Sequence, residues 1–265
     1  MEDLVVSPPY QIDRHEQFMT AAKNGDMPVV KGLIDMGVSI DICDSQGYTA
    51  LARASLNGEV EVMKLLLGMK ASMEARDSFG RTALHLAAQF GQVSAVQLLI
   101  EYGSPLDLPE KDGGSPLAGA AWGGQTDVMK VLIAAKASID MRDLNGRTAL
   151  MVAAQKGRAD AVKVLVDAAA KLDEKNKKGH TALALAAMNG HTAVLKTLTA
   201  AKATIDARDY LQWTPLMMAI QFDHVEAAQF LITAKAHVDG YEGGCSGLSL
   251  AAYSGNTHLM NALLA

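Results

Sequence analysis

Residues 80–88, with the sequence Gly-Arg-Thr-Ala-Leu-His-Leu-Ala-Ala, contain the pattern that decides the fold, because its key positions recur along the chain. The small polar residue at Thr82 recurs at steps of 33 residues, the last step being 32, as Thr49, Ser115, Thr148, Thr181, Thr214 and Ser246. The leucine two positions later recurs with it, as Leu51, Leu84, Leu117, Leu150, Leu183, Leu216 and Leu248. Such a period is typical of repeat proteins, in which each unit contacts only its neighbours.

Each unit is predicted to be a pair of short amphipathic helices. A turn residue separates the two helices in the same register, at Gly25, Gly58, Gly91, Gly124, Gly157, Gly190, Asp223 and Gly255. Apolar residues at three- and four-residue spacing flank it, which predicts helices. The segments between units, such as 143–146 with the sequence Asp-Leu-Asn-Gly, have the composition of tight hairpins. One pair cannot bury its apolar face alone, so the units are expected to stack into a continuous core.

Residues 80–88 resemble the Gly-x-Thr-Pro-Leu-His-x-Ala-Ala signature of the ankyrin-repeat family, and the resemblance extends over roughly residues 11–265. It implies an all-α solenoid of stacked ankyrin repeats, a single elongated domain of helix–turn–helix units with projecting β-hairpin loops. The hairpins and first helices would form a groove that commonly holds partner proteins. We predict a capping segment at 1–12 and a repeat domain at 13–265, with units at 11–43, 44–76, 77–109, 110–142, 143–175, 176–208, 209–240 and 241–265.

Some helix ends depart from the family pattern. Lysine stands where a helix-ending glycine is usual in four units, at Lys70, Lys136, Lys202 and Lys235. A left-handed lysine costs on the order of 1 kcal/mol, so these helices either carry that strain or use another cap. The last unit ends at residues 263–265 without a polar cap, so we expect a partner to cover that end or the chain to be truncated there.

Composition excludes several classes of protein. The net charge of −5 disfavours a nucleic-acid partner for the protein as a whole. No signal peptide is recognisable, and no apolar run reaches the roughly 18 residues that a membrane span needs. The two cysteines, Cys43 and Cys245, cannot form a disulfide framework or a zinc cluster. We therefore expect an intracellular protein, in the cytoplasm or the nucleus.

Sequence motifs for catalysis are absent. We find no phosphate-binding Gly-rich loop, no zinc helix and no nucleophile turn. We therefore predict no catalytic, cofactor-binding or metal-binding residue, and expect a protein that is not an enzyme. An acidic ladder, Asp41, Glu74, Asp107, Asp140, Asp173, Asp206 and Asp239, looks functional but is interpreted as structural, since short acidic side chains accept backbone hydrogen bonds in turns.

Aromatic residues concentrate at the positions that the resemblance assigns to the groove. Nine of the thirteen aromatics lie there: Tyr48, Phe79, Phe90, Trp122, Tyr210, Trp213, Phe222, Tyr241 and Tyr253. Exposed aromatics of this kind are typical of interface anchors, although some could fold back onto neighbouring hairpins. The glycine-rich fourth unit, with Gly119 inside its first helix, is expected to be the softest point of the stack or a place where a partner approaches Trp122 closely.

Ten of the twenty-four basic residues share these positions, which suggests an acidic and apolar partner. The predicted partner-binding residues are Tyr48, Phe79, Arg81, Phe90, Trp122, Arg142, Arg147, Lys156, Lys177, Lys178, His180, Tyr210, Leu211, Trp213, Phe222 and Tyr253. The function that we predict is non-catalytic protein binding, as a scaffold, adaptor or assembly subunit. The alternatives are an inhibitor or regulatory subunit of an enzyme and, in a different class, a single-stranded nucleic-acid-binding module.

Overall fold

Seven helix pairs follow one another in a computed structural model that describes residues 14–238 and, beyond them, residues 249, 251, 252, 255 and 260. The capping segment predicted at 1–12 and nearly all of the last predicted unit lie outside the described residues. The fourteen helices of the described part are α1 (Arg14–Asn24), α2 (Met27–Asp35), α3 (Ala50–Asn57), α4 (Val60–Gly68), α5 (Ala83–Gln89), α6 (Val93–Glu101), α7 (Pro116–Gly123), α8 (Thr126–Ala134), α9 (Ala149–Gln155), α10 (Ala159–Asp167), α11 (Ala182–Met188), α12 (Thr192–Ala200), α13 (Pro215–Gln221) and α14 (Val225–Thr233).

The recurring threonine begins the first helix of a unit. The six of these residues from Thr49 to Thr214 are N-caps, as at Thr148, whose hydroxyl accepts a hydrogen bond from the Met151 amide, and Ser246 lies outside the described residues. That bond satisfies one of the free amides of the first turn. In α5 the cap is completed by His85, whose Nδ1 accepts from the Thr82 amide at 3.2 Å. The spacing of these residues in the sequence is therefore the spacing of the N-termini of the first helices.

The first helices stack closely because small residues face one another along the core. One alanine column is completely buried, at Ala54, Ala87, Ala120, Ala153, Ala186 and Ala219. The signature leucines are buried beside it, with Leu84 and Leu117 at 0% exposure. At Gly123 an added Cβ would lie 2.5 Å from the Gln89 carbonyl oxygen, so no side chain fits between α5 and α7 there. One core thus runs through all seven pairs.

Consecutive hairpins are joined by main-chain hydrogen bonds. The Ser78 amide donates to the Gln46 carbonyl at 2.9 Å, and the same bond joins the later hairpins in turn, as from Lys111 to Phe79 at 3.0 Å. The loops are tight turns, and no residue of the described part lies in a β-strand. A Cβ at Gly47 would lie 2.9 Å from the Ser78 amide nitrogen, so glycine is needed where two hairpins meet.

The acidic ladder ties neighbouring units together, which confirms its structural interpretation. Each aspartate accepts a hydrogen bond from an amide 31 residues further on. The pairs are Asp41 with Ser72, Asp107 with Ser138, Asp140 with Lys171, Asp173 with Thr204, and Asp206 with His237. Glu74 is the exception, because the residue 31 positions on is Pro105, which has no amide hydrogen. Asp239 lies outside the described residues.

A second set of bonds between units was not foreseen from the sequence. The residue after the turn between the two helices reaches back to a carbonyl 36 residues earlier, at the end of the preceding first helix. His191 donates to the Gln155 carbonyl at 3.1 Å, and His224 to the Met188 carbonyl at 3.0 Å. Gln92, Gln125 and Arg158 do the same in earlier units. These side chains satisfy carbonyls that every helix end leaves free.

The four lysines at second-helix ends adopt the left-handed conformation that was in question. Their φ angles lie between 65° and 73°, at Lys70, Lys136, Lys202 and Lys235. Ala169 occupies the same position in its unit with φ 61°. The alternative of a different cap is therefore wrong, and each residue carries a strain of roughly 1 kcal/mol.

The His85 side chain predicts a pH-dependent stability. It is 3% exposed, and its Nε2 donates to the Gly114 carbonyl of the next unit at 3.2 Å. Burial lowers its pKa from 6.5 to about 4. Because burial disfavours the protonated His85 in the folded state, its contribution to the free energy of unfolding is fully present above pH 6.5. That contribution falls as the pH drops towards 4, by about 3 kcal/mol at most.

Urea unfolding at pH 7 and pH 5 tests this expectation against His85→Ala, since alanine occupies the position naturally at Ala52, Ala118 and Ala184. We expect the variant to lose about 1–3 kcal/mol at pH 7, and less at pH 5. Equal losses at both pH values would contradict the neutral, buried histidine.

The acidic ladder supplies a matched pair of substitutions. Asp107→Ala removes bonds to both the amide and the hydroxyl of Ser138, so we expect a loss of about 1–2 kcal/mol. Glu74 has no such bond to lose, because Pro105 has no amide hydrogen. Glu74→Ala should therefore change the free energy of unfolding by less than about 0.5 kcal/mol. Urea denaturation of both variants measures the difference, and similar losses in the two would refute the assignment of the ladder.

Candidate functional site

Six of the predicted anchors are exposed apolar side chains on hairpins or at the ends of first helices. The exposed fractions range from 46% to 74%, for Phe79, Phe90, Trp122, Tyr210, Leu211 and Phe222. Leu144 is also exposed, at 60%, and the prediction missed it. It lies 66 residues before Tyr210, at the same place in its hairpin, and this register was the signal that could have found it.

Tyr48 is a correction to the expected groove surface. It is only 8% exposed and packs with Ala52 and Leu86. Its hydroxyl accepts from Arg81 at 2.7 Å, and the Arg53 guanidinium stacks over its ring at 4.2 Å. The ring folds back onto the scaffold because two arginines cover it, so Tyr48 cannot act as an exposed anchor.

Two more predicted residues lie deeper than expected, and one cannot be placed. Trp213 is half-buried against the core, and its amide donates to the Asp209 carboxylate. His180 is also half-buried, with Nε2 3.4 Å from Asp209, and desolvation holds its pKa below the usual value. Tyr253 lies outside the described residues.

The predicted basic residues divide into two groups. Arg81 and Arg147 are half-buried and pair with Asp77 and Asp143 of their own hairpins, at 2.8 and 2.7 Å. Arg142 is exposed but is held by Glu174 and by the Lys175 carbonyl of the next hairpin. Lys156, Lys177 and Lys178 are exposed, and none forms an ion pair within the described residues. Among the predicted basic residues, these three lysines are the ones whose charge is not already paired within the described part of the chain.

A cavity of about 300 Å³ opens beside the first helix of the fourth unit. Phe79 and Trp122 form aromatic walls, and Ala118, Gly119 and Val152 form an apolar floor. Around its rim lie polar side chains from three units: Arg81, Gln89, Glu110, Asp112, Asp143, Arg147, Gln155 and Lys156. The sequence prediction had placed Phe79, Arg81, Trp122, Arg147 and Lys156 on the groove, and the structure brings these five together.

The cavity exists because the fourth unit lacks side chains that its neighbours have. Gly114 occupies the position of Arg81 and Arg147, and Gly119 that of Leu86 and Val152. In the third and fifth units the arginine also bonds a glutamine at the end of the first helix, from Arg81 to Gln89 and from Arg147 to Gln155. In the fourth unit that place is taken by Trp122.

These glycines leave Glu110 without the bonded arginine that Asp77 and Asp143 have. Its carboxylate accepts no hydrogen bond within the described part of the chain, and it lies over Gly114, with one oxygen 2.8 Å from where a Cβ would be. Partial burial raises its pKa, and the carboxylates of Asp112, Asp77 and Asp143 add to the effect, while Arg81 opposes it. Glu110, Gly114 and Gly119 were missed as site residues, although aligning the units by column would have found them.

The described residues contain no group of three or more histidine, cysteine, aspartate or glutamate side chains that could hold a metal ion. Among the described helices, none combines the length and the apolar composition that crossing a membrane requires.

Comparison with known proteins gives a consistent result. A family model described as ankyrin repeats (3 copies) matches the overlapping segments 18–112, 62–143, 93–177, 117–209 and 168–241. The crystal structure of the human ASB11 ankyrin repeat domain is similar, with a TM-score of 0.74 and 28% sequence identity over 83% of this chain and 98% of that chain. No curated protein sequence matches the chain.

The raised pKa of Glu110 predicts a stabilising substitution. The charged carboxylate is disfavoured in the folded state, so its penalty is absent below the ordinary pKa of 4.5 and develops as the pH rises through the folded pKa. We expect Glu110→Gln to raise the thermal midpoint slightly at pH 7 and to leave it unchanged at pH 4.

Differential scanning calorimetry at the two pH values measures this, with Glu59→Gln as a control because Glu59 does not line the cavity. A lower midpoint for Glu110→Gln at pH 7 would mean that the carboxylate has a stabilising partner.

Proposed function

Since this chain belongs to the ankyrin-repeat family, whose repeats are in general protein-interaction modules, we propose that it binds a partner protein on its hairpins and first helices. The binding is non-catalytic, and the protein acts as a scaffold, adaptor or assembly subunit. An inhibitor or regulatory subunit, whose groove covers an enzyme, would use the same surface.

The exposed tip of the seventh hairpin carries this proposal. Tyr210 and Leu211 are 66% and 74% exposed and adjacent in sequence. Gln212 follows with a φ of 67°, where the preceding hairpins have glycine at Gly47, Gly80, Gly113, Gly146 and Gly179. An apolar and strained tip is costly in water, and such features cluster at binding sites. A partner that buries the two side chains would offset that cost.

The charge of this face supports a partner with carboxylates. Lys177 and Lys178 lie one hairpin before Tyr210, and Lys156 lies at the end of α9. Because these ammonium groups have no acidic partner in the described part of the chain, they are free to attract acidic side chains and to increase the association rate. With only two cysteines, of which Cys43 is exposed and free, the proposed compartment is intracellular.

Single-stranded nucleic acid is the second candidate, because bases stack on exposed rings such as those of Trp122 and Tyr210, and the Trp122 ring lies 5.4 Å from the Lys156 ammonium. Binding of a single-stranded oligonucleotide at low salt, weakening steeply as salt is added, would favour it. Absence of binding at low salt would exclude it.

The proposal predicts that Tyr210→Ala with Leu211→Ala weakens partner binding by about tenfold or more while leaving the fold intact. Both side chains are exposed, so their loss should leave the free energy of unfolding nearly unchanged. Trp213 is unsuitable for this test, because it packs on the core.

Quantitative affinity capture with native lysate compares the double variant with wild type. Tyr102→Ala is the matched control, because Tyr102 is 45% exposed at the end of α6, on a second helix. Partners lost from the double variant and kept by the control support the proposal. Equal capture by all three proteins would contradict it.

A further inference from the structure

We propose that the cavity of the fourth unit binds an arginine side chain of the partner, which takes the place of an arginine that neighbouring units supply themselves. This inference rests on the proposed function and deepens it, since it assigns a side chain of stated chemistry to one part of the surface. Equivalent positions in successive units differ at this site.

Three hairpins place an arginine on the acid with which the hairpin begins. Asp77 and Asp143 pair with the arginine four residues later, Arg81 and Arg147. In the second unit Asp44 pairs with Arg53, nine residues later in the first helix, through two hydrogen bonds. An arginine can therefore reach the acid from either of two positions.

Both of these positions are glycine in the fourth unit. Glu110 begins the hairpin, Gly114 lies four residues later and Gly119 nine residues later. The fourth unit therefore has the acidic residue but no arginine at either position, and the space that an arginine side chain would fill is left open. The cavity of about 300 Å³ is large enough for the side chain of an arginine.

The walls of the cavity match the way in which this protein holds its own arginines. Arg53 stacks over Tyr48, with the guanidinium carbon 4.2 Å from the ring centroid, and Arg81 stacks over Phe79 at 4.9 Å. The empty place beside Glu110 is likewise bordered by aromatic rings, Phe79 and Trp122. A guanidinium stacks on such rings and pairs with a carboxylate at the same time.

The charges near Glu110 favour a cation over an anion. Asp112 is exposed and has no ion pair within the described residues, whereas Arg81 and Arg147 are held by their aspartates. Lys156 is the competing cation, with its ammonium 5.4 Å from the Trp122 ring centroid. It is exposed and forms no ion pair in the described part of the chain, so it can move aside when a better-matched cation binds.

Arginine is a better match than lysine for this place. Its planar guanidinium can form two parallel hydrogen bonds with the Glu110 carboxylate and present its face to Trp122. A lysine ammonium is a compact, strongly hydrated charge that would lose more solvation on entering a half-enclosed cavity. The apolar floor of Ala118, Gly119 and Val152 suits the methylene groups of an arginine.

The test uses the full chain and N-acetyl-arginine amide, followed by NMR at the indole N–H of Trp122 in ¹⁵N-labelled protein. Trp213 is the only other tryptophan and serves as the internal reference. We expect a saturable shift of the Trp122 signal at roughly millimolar probe concentrations, with the Trp213 signal unmoved. The neutral isostere, N-acetyl-citrulline amide, should bind at least about tenfold more weakly.

Three variants locate the binding in the cavity. Glu110→Gln should weaken binding of the arginine probe by about tenfold, to the level of the citrulline compound. Gly119→Arg should abolish the response, because its side chain fills the place internally as Arg53 does in the second unit. Gly119→Ala is its matched control and should bind as wild type, since a Cβ there meets no atom closer than 3.8 Å.

Equal affinities for the arginine and citrulline probes would overturn the inference, as would an unchanged Trp122 response in folded Gly119→Arg. This titration needs no partner, whereas the capture experiment probes the seventh hairpin. Partner capture that depends on Tyr210 and Leu211, together with no response to the arginine probe, would refute this site and leave the proposed function standing.

Discussion

The close approach of consecutive hairpins is the constraint on which the rest of the structure depends. The backbone of one hairpin lies where a side chain of the previous hairpin would be, as at Gly179, where a Cβ would be 2.6 Å from the Tyr210 amide nitrogen. Main-chain hydrogen bonds hold the hairpins at this distance. Because the spacing is the same throughout, aspartates reach amides 31 residues away and histidines reach carbonyls 36 residues away.

Such regularity makes departures from it informative. A carboxylate at the start of a hairpin is ordinary in this protein. Asp209 lacks the arginine but has His180 beside it, whereas at Glu110 the arginine is missing because Gly114 and Gly119 have replaced the larger residues. The same comparison separates the arginines that stabilise hairpins, such as Arg81, from lysines with no such role, such as Lys178. The candidate site is thus defined by what differs between units, while the fold is defined by what they share.

The period of 33 residues was enough to predict the repeat fold, because each recurring residue has one local role. The threonines cap helices, the leucines fill the core, and the glycines form turns. Exposure at single positions was harder to predict. Tyr48 and Trp213 belong to the same column as Arg81 and Arg147, which lies between the hairpin and the first helix and is covered by neighbouring side chains. A resemblance assigned that column to the groove, but packing between units decides what is buried there, and a single unit's sequence does not contain that information.

The cavity of the fourth unit arises from missing side chains and not from added ones. Its three determinants, the glycines at 114 and 119 and the ring of Trp122, lie within nine residues of one unit and touch only the adjacent units. Because each unit contacts only its neighbours, the same three residues introduced into another internal unit would create a second cavity at a distance set by the repeat spacing. The number of units between the two cavities would then fix how far apart two arginines on one ligand must be in order to bind both.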